Sequence, residues 1–357
     1  PPDPALEEPS AAPDDLDALV FDGYDAETGA FGSVPRFPLT APVHLALAHT
    51  RGDATSVFAD IARTCLDRMG WGGLYDDEDG GFFRCARAAD WSQPQTEKLL
   101  ECNAGLLSLY LDAFETLGLA RYGERAEGVL GFVQQTLADS QAGGWAASQR
   151  EAPAYYASAP DARRAGVPPP VDGTLLTSAN AAMVSAALRA ARVMSDDGLR
   201  TFALKSLERV VIGAYRPGAG VAHCVSAGEE VRGLLEDQVA MAAALIDAFE
   251  ATGNVVYEMM AEELARQTLL ACRDERGGGF FDRAASDADV GLLRRRVKPF
   301  VANCEAARML RRLAAASGDS EFAGLADEAL AAAAREARLH GALAAHYVLA
   351  VREAELR

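Results

Sequence analysis

Along most of the chain, apolar residues return every three or four positions, the spacing that keeps them on one face of an α-helix. Leu99, Leu100, Leu106, Leu107, Tyr110, Leu111, Phe114 and Leu117 form one such series. Leu175, Ala179, Met183, Ala187 and Ala191 form a second, and Leu234, Leu235, Ala242, Leu245, Ile246 and Phe249 a third. The spacing predicts helices near 14–24, 42–50, 54–69, 97–117, 121–138, 174–194, 197–213, 231–252, 254–272, 299–316, 319–336 and 339–355, with few strands.

Glycine separates these helices in two ways. Short turns such as TLGLARYG and ATGN alternate with long loops: GWGGLYDDEDGGFF, AGGWAA, RPGAGVAH and RGGGFF. The rhythm of helix, short turn, helix, long loop repeats every roughly 60–75 residues, which suits stacked helix pairs better than ordinary solenoid modules. EKLLECNAG (97–105) and VKPFVANCE (297–305) place Lys98 with Lys298 and Asn103 with Asn303. TSANAAMVSAAL (177–188) and LEDQVAMAAAL (235–245) place Asn180 with Gln238 and Met183 with Met241. Each helix that follows a long loop therefore carries a polar residue in its first two turns. Helices apolar on most faces belong inside, so these become an inner ring and their partners an outer one. Six pairs make an all-α (α/α)6 toroid, a single domain over 14–357, with the polar starts of the inner helices gathered in a funnel. A superhelical solenoid is the rival arrangement, and long loops confined to one end favour the toroid.

Charge and composition narrow the partners. The formal net charge of −18 argues against nucleic acid and anionic membranes, which both require basic patches. No apolar run reaches the ~20 residues of a membrane helix. Residues 1–13, acidic and proline-rich, read as a disordered arm and not as a signal peptide. A chain opening at Pro1 without Met is read as a trimmed product. Cys65, Cys85, Cys102, Cys224, Cys272 and Cys304 form no C-x-x-C and have no histidine at zinc spacing, so buried free thiols in a reducing, cytoplasmic setting are expected, without metal or cofactor.

With these segments in view, the chain resembles the helical part of the thioredoxin-domain-containing family typified by spermatogenesis-associated protein 20. YDAETGAFGSVPRFPLTAPV (24–43) is similar to the family's G-G-F-G-x-P-K-F-P segment. GGLYDDEDGGFFRCARAADWSQPQTEKLLECNAGLL (72–107) is similar to its block running from G-G-[IL]-[YF]-D through H-F-E-K-M-L-Y-D-N-A. VDGTLLTSANAAM, LLEDQVAM and VKPFVANCEAA follow in order, similar to D-x-x-L-T-x-W-N, L-E-D-Y-A and P-S-G-N. The resemblance implies the six-hairpin glycosidase-like fold. Departures accompany it: Gln95 stands for the family's His, Cys102 for its Asp and Ala179 for its Trp, and GGWAASQREAP has no D-A-D-S. The family's thioredoxin domain has no counterpart in these residues, so a redox role is not theirs.

Glycosidases need two carboxylates facing across a pocket. Glu97, Asp172, Glu236 and Asp237 stand near inner-helix starts and are the candidate acid, base or ligand groups; the structural alternative is helix capping and dipole stabilisation. Candidate substrate-binding residues are Arg36, Trp71, Tyr75, Arg84, Trp91, Lys98, Asn103, Asn180, Lys298 and Asn303. Lysine is rare here, so Lys98 and Lys298 are either cations in the mouth or ion-pair partners, Lys98 with Glu236 for example. The asparagines and Gln238 are expected more often to bond a neighbouring backbone. The acidic run Asp76–Asp79 reads as a solvated turn. None of the five histidines is placed at an inner-helix start, which disfavours epimerase chemistry, and lanthionine-cyclase-like zinc chemistry lacks its ligand set. The function expected is a carbohydrate-active or sugar-binding domain; the alternative is a degenerate scaffold that engages a protein partner.

Overall fold

The computed structural model describes residues 13–50, 52–225, 230–287 and 289–355. The expected arm thus lies outside the described residues, apart from Pro13, which opens the first helix. Twelve long helices follow: α1 (Pro13–Asp22), α2 (Thr40–Thr50), α3 (Val57–Gly70), α4 (Leu100–Leu117), α5 (Ala120–Phe132), α6 (Thr177–Met194), α7 (Asp197–Ala214), α8 (Leu235–Thr252), α9 (Val255–Cys272), α10 (Phe300–Ser317), α11 (Ser320–Ala334) and α12 (Ala345–Glu355). A π-turn, Val133–Leu137, extends α5, and a 3-10 stretch, Ala337–Ala344, leads into α12.

The even-numbered helices touch in the order α2, α4, α6, α8, α10, α12, and α12 returns to α2. That closed circuit is the inner ring. The helices α3, α5, α7, α9 and α11 each pack behind their predecessor, and α1 packs behind α12. The architecture is therefore an (α/α)6 toroid, whose sixth hairpin joins the first and last of the described helices. His49 and Arg352 both bond Asp17 of α1 at this closure.

The two kinds of connection start helices differently. After short turns, side chains cap three of the outer helices: Asp196 accepts from Leu199 N–H, Asn254 from Val256 N–H and Asp319 from Glu321 N–H, whereas α5 starts at Leu119 without a side-chain cap. After long loops the inner helices begin at Leu99, Leu176, Leu234 and Pro299 with no side-chain cap. Instead, the next loop round the rim supplies a carbonyl. Leu100 N–H reaches Ala147 O, Thr177 reaches His223 O, and Leu235 reaches Asp282 O. Two-residue strands stitch the same loops together, Lys98–Leu99 with Ser148–Gln149 and Leu175–Leu176 with Cys224–Val225. The N-terminal ends of these inner helices thus sit inside a hydrogen-bonded band, in which a neighbouring loop's carbonyl takes the first N–H of α4, α6 and α8.

Candidate functional site

Each long loop meets its inner helix through one repeated joint. Asn103 Oδ1 accepts from Phe82 N–H at 2.7 Å, while its Nδ2 donates to Phe82 O and Leu99 O at 3.0 and 2.9 Å. Asn180 makes the same three bonds to Trp145 and Leu176, Gln238 to Val221 and Leu234, and Asn303 to Phe280 and Pro299. The amide plays the part of a missing strand. Glycine must precede the clamped residue: a Cβ on Gly279 would stand 2.7 Å from Asn303 Oδ1, and one on Gly220 2.2 Å from Gln238 Oε1. These four amides are buried and fully bonded to backbone. None is left to meet a ligand.

The lysines belong to the same joints. Lys98, with no exposed surface, donates to Asp76 at 2.7 Å and Gly80 O at 2.6 Å, and lies over the rings of Phe83, Phe132 and Tyr156. Its partner is Asp76, not the expected Glu236, because the glycine turn folds the loop's own carboxylate back onto it. Burial opposes ionisation of Asp76, but Lys98 and Arg163 together hold its carboxyl below the usual range. So the first residue of the acidic run Asp76–Asp79 is buried, not solvated. Lys298 repeats the pattern with Asp274 at 2.6 Å and Gly278 O at 2.6 Å.

The remaining candidates divide between wall, rim and funnel. Arg36 is buried and held by Asp25 and Thr28. Trp91 is buried, its Nε1 donating to Thr28 O. Trp71 and Tyr75 lie under Arg125 on the outer wall against α5, away from the funnel. Arg84 and Glu97 form a rim ion pair at 3.4 Å. Asp172 closes a local turn with Thr174 rather than capping a helix. Asp237 is buried, accepting from Ser178 N–H at 3.3 Å and facing His223 Nδ1 at 3.0 Å. Burial raises the Asp237 carboxyl despite both partners. Glu236 stays exposed, with no hydrogen bond or ion pair among the described residues.

The lumen itself went unread in the sequence. Inner helices are covered by outer ones, so their partly exposed positions must line the central hole. On α4 these are Glu101, Gly105, Ser108, Asp112 and Glu115; on α6, Ser178, Ala182, Ser185, Arg189 and Arg192; on α8, Glu236, Ala240, Ala243, Asp247 and Glu250. On α10, Glu305, Arg308 and Arg312 continue the series. Small residues leave space in the upper half. Lower down, ion pairs zip neighbouring helices: His44 to Asp112 at 2.6 Å, Arg189 to Asp112 and Glu115, Arg312 to Asp247 and Glu250, and Arg308, also paired with Glu305 of its own helix, to Glu353.

Two features give this lumen chemistry. His346, in the first turn of α12, faces Glu305 Oε1 through Nδ1 at 2.9 Å. With His223 over the start of α8, it overturns the expectation that no histidine reaches the inner-helix starts; the last inner helix begins at Ala345, not near 339, because Gly341 breaks the run with φ 51°. His44, His223 and His346 all present Nδ1 to a carboxylate, which leaves Nε2 for exchange of a proton. At the mouth, Glu101 and Glu236 carry no partner among the described residues. Burial within the funnel, and then the charge of Glu236, raise the Glu101 carboxyl. Desolvation in the lumen opposes ionisation of the partly exposed Glu305, but Arg308 and His346 hold its carboxyl at about 2.

No protein-family model matches the chain. By structure, the chain is similar to cellobiose 2-epimerase from Bacillus thermoamylovorans (TM-score 0.69, 9% identity, 87% of this chain and 82% of that one). It is likewise similar to the family 76 α-mannanase of Bacteroides thetaiotaomicron (TM-score 0.69, 12% identity, 99% of both chains). A D-mannose isomerase gives a TM-score of 0.70 at 13% identity, over 89% of this chain and 82% of that one. These likenesses establish the fold. By sequence, the chain is similar to spermatogenesis-associated protein 20 of mouse, 31% identical over 136 residues, and of human, 32% over 138; each match spans 37% of this chain but only 17% of the relative's length. The resemblance in the glycine-loop motifs thus stands on both counts: a six-hairpin glycosidase-like (α/α)6 toroid with sequence similarity to spermatogenesis-associated protein 20.

Proposed function

We propose that the lumen binds an uncharged sugar or sugar-like polyol and exchanges protons with it. The observation that carries this reading is the set of imidazoles oriented by carboxylates, two of which, His44 and His346, stand on inner helices around a hole lined above by Gly105, Ser108, Ala182, Ser185, Ala240 and Ala243. An imidazole whose Nδ1–H is held by a carboxylate acts through Nε2 as base and then acid. The fold neighbours include a sugar epimerase, a sugar isomerase and a mannanase, which supports a carbohydrate ligand. The lumen arginines Arg189, Arg308 and Arg312 are each held by two carboxylates and Arg192 by Glu115, so a phosphate or uronate would have to displace an acidic partner from each.

A second reading, hydrolysis by a carboxylate pair, is favoured by Glu101 and Glu236. Burial and then the charge of Glu236 raise the Glu101 carboxyl, the direction that suits a proton donor. Thermal-shift titration with neutral mono- and disaccharides tests the shared premise, and turnover of the binders separates the two. Interconversion lost in His346→Gln supports the first reading; hydrolysis lost in Glu101→Gln supports the second. If no sugar raises the melting temperature, both fall and the scaffold alternative remains.

A further inference from the structure

The two lysine joints are alike in their bonds and unlike in their covering. Lys98 and Lys298 each bond a loop carboxylate and a glycine carbonyl, which occupies two of the three ammonium N–H groups. Phe83 and Phe281 repeat each other, with ring centroids 5.1 and 5.5 Å from the two nitrogens. At Lys98, Phe132 and Tyr156 add two further rings at 4.6 and 5.0 Å, and the side chain has no exposed surface. At Lys298 no ring repeats these two among the described residues, and the side chain is 28% exposed. The place of Phe132 belongs to Ala332. A Cβ on Gly81 would stand 3.1 Å from Phe132 Cβ, and one on Gly279 would stand 3.0 Å from Ala332 Cβ.

Beside Lys298, a pocket of about 110 Å³ opens between the start of α10 and the end of α11. Phe300, Ala332 and Ala333 give it apolar walls; Lys298, the clamped Asn303, Arg335 and Glu336 complete its lining. Phe300 is stacked with His340 at 4.0 Å, which fixes its ring. The charges in and beside the lining are matched, Lys298 by Asp274 and Arg335 by one acid, Glu336, so little net charge is left to select an anion. A cavity of roughly 150 Å³ takes a benzene ring, so this one is on the scale of a single ring.

We infer that this pocket binds one uncharged aromatic ring, placed near the Lys298 ammonium as the Phe132 ring is placed near that of Lys98. A cation within about 6 Å of a ring centroid is attracted by the ring's quadrupole, and more strongly where water is excluded. Phe300 and Asn303 lie off the Glu305, Arg308 and Arg312 stripe of α10, so the site is separate from the lumen and independent of any sugar chemistry.

Ligand-observed NMR titration of the full chain with phenol tests it, with cyclohexanol as the saturated ring of similar size and acetate as the anion. Ala332→Phe rebuilds the covering found at Lys98, and circular dichroism checks its fold. Phenol is expected to bind the wild type at least about fivefold tighter than cyclohexanol and to lose binding to Ala332→Phe. Absent phenol binding, equal affinity for cyclohexanol, competition by acetate, or phenol binding retained in Ala332→Phe overturns the inference. Should Ala332→Phe not fold, Ala332→Leu fills the same space, and phenol binding retained there overturns it equally. N-acetyltyrosinamide identifies the source of the ring: affinity matching phenol supports an aromatic side chain of a partner, and phenol binding alone supports a small molecule.

Discussion

Replacing Asn103 by Ala distinguishes a joint from a ligand group. The side chain is wholly buried and joins three backbone groups: Phe82 N–H, Phe82 C=O and Leu99 C=O. Both Phe82 groups are sealed from water, so the substitution leaves them orphaned in the interior. Two such groups at about 1–3 kcal/mol each give a loss of roughly 4 kcal/mol. With an unfolding entropy of about 2.1 cal/mol/K per residue, a chain of this length should lose roughly 5 °C in melting temperature. The assay is thermal and urea unfolding followed by circular dichroism. The equivalent substitutions at Asn180, Gln238 and Asn303 should fall in the same range, because each amide makes the same three bonds. A shift below about 1 °C at all four positions would refute the clamp as a source of stability. Unchanged melting combined with lost sugar binding would reassign the amides to the ligand.

Other substitutions probe neighbouring parts of the same architecture. Lys98→Met leaves Asp76 buried with Arg163 alone, and urea unfolding should show a loss of about 3–5 kcal/mol. Glu101 has a raised folded pKa, so its ionisation opposes folding as pH climbs above the unfolded value of about 4.3. Glu101→Gln should therefore melt higher than wild type at pH 7, with the gap closing below about pH 4. Glu305 has the opposite sign. Held at about 2 when folded, it stabilises above the ordinary carboxylate range, and that contribution drains away as pH falls toward 2. Urea midpoints from pH 2 to 6 should accordingly be flatter for Glu305→Gln. Gly81→Ala should destabilise, since φ is 77° and the new Cβ would meet the Phe132 ring at 2.5 Å.

The ring was legible because its two signals are local. Three- and four-residue apolar spacing located the helices, and glycine pairs located the rim, where Gly80 and Gly81 both need left-handed backbone. Lys98 and Asn103 were visible as a repeated pair, but their partners Asp76 and Phe82 sit in a loop folded back by those glycines, which spacing alone does not show. The lumen was missed for a different reason. Glu101, Gly105, Ser108, Asp112 and Glu115 form a polar stripe of the kind expected to face bulk solvent. Only knowledge that α4 is enclosed on its other sides turns that stripe inward. The same four-three-four-three spacing from Ser178 and from Glu236 was the available clue. His346 was hidden by the start of its helix, which a glycine moves to Ala345.

The pairing of α1 with α12 has a consequence for how the molecule is assembled. An open array of hairpins needs polar caps at both ends and can grow one unit at a time. A ring has no ends to cap, but its last seam joins residues such as Asp17 and Arg352, separated by almost the whole chain. Five hairpins can stack by neighbour contacts as they emerge, whereas the lumen is enclosed only when the first helix meets the last. The binding cavity is therefore a property of the circuit and not of any one repeat. A chain cut after α11 would keep most of its core and have no inside.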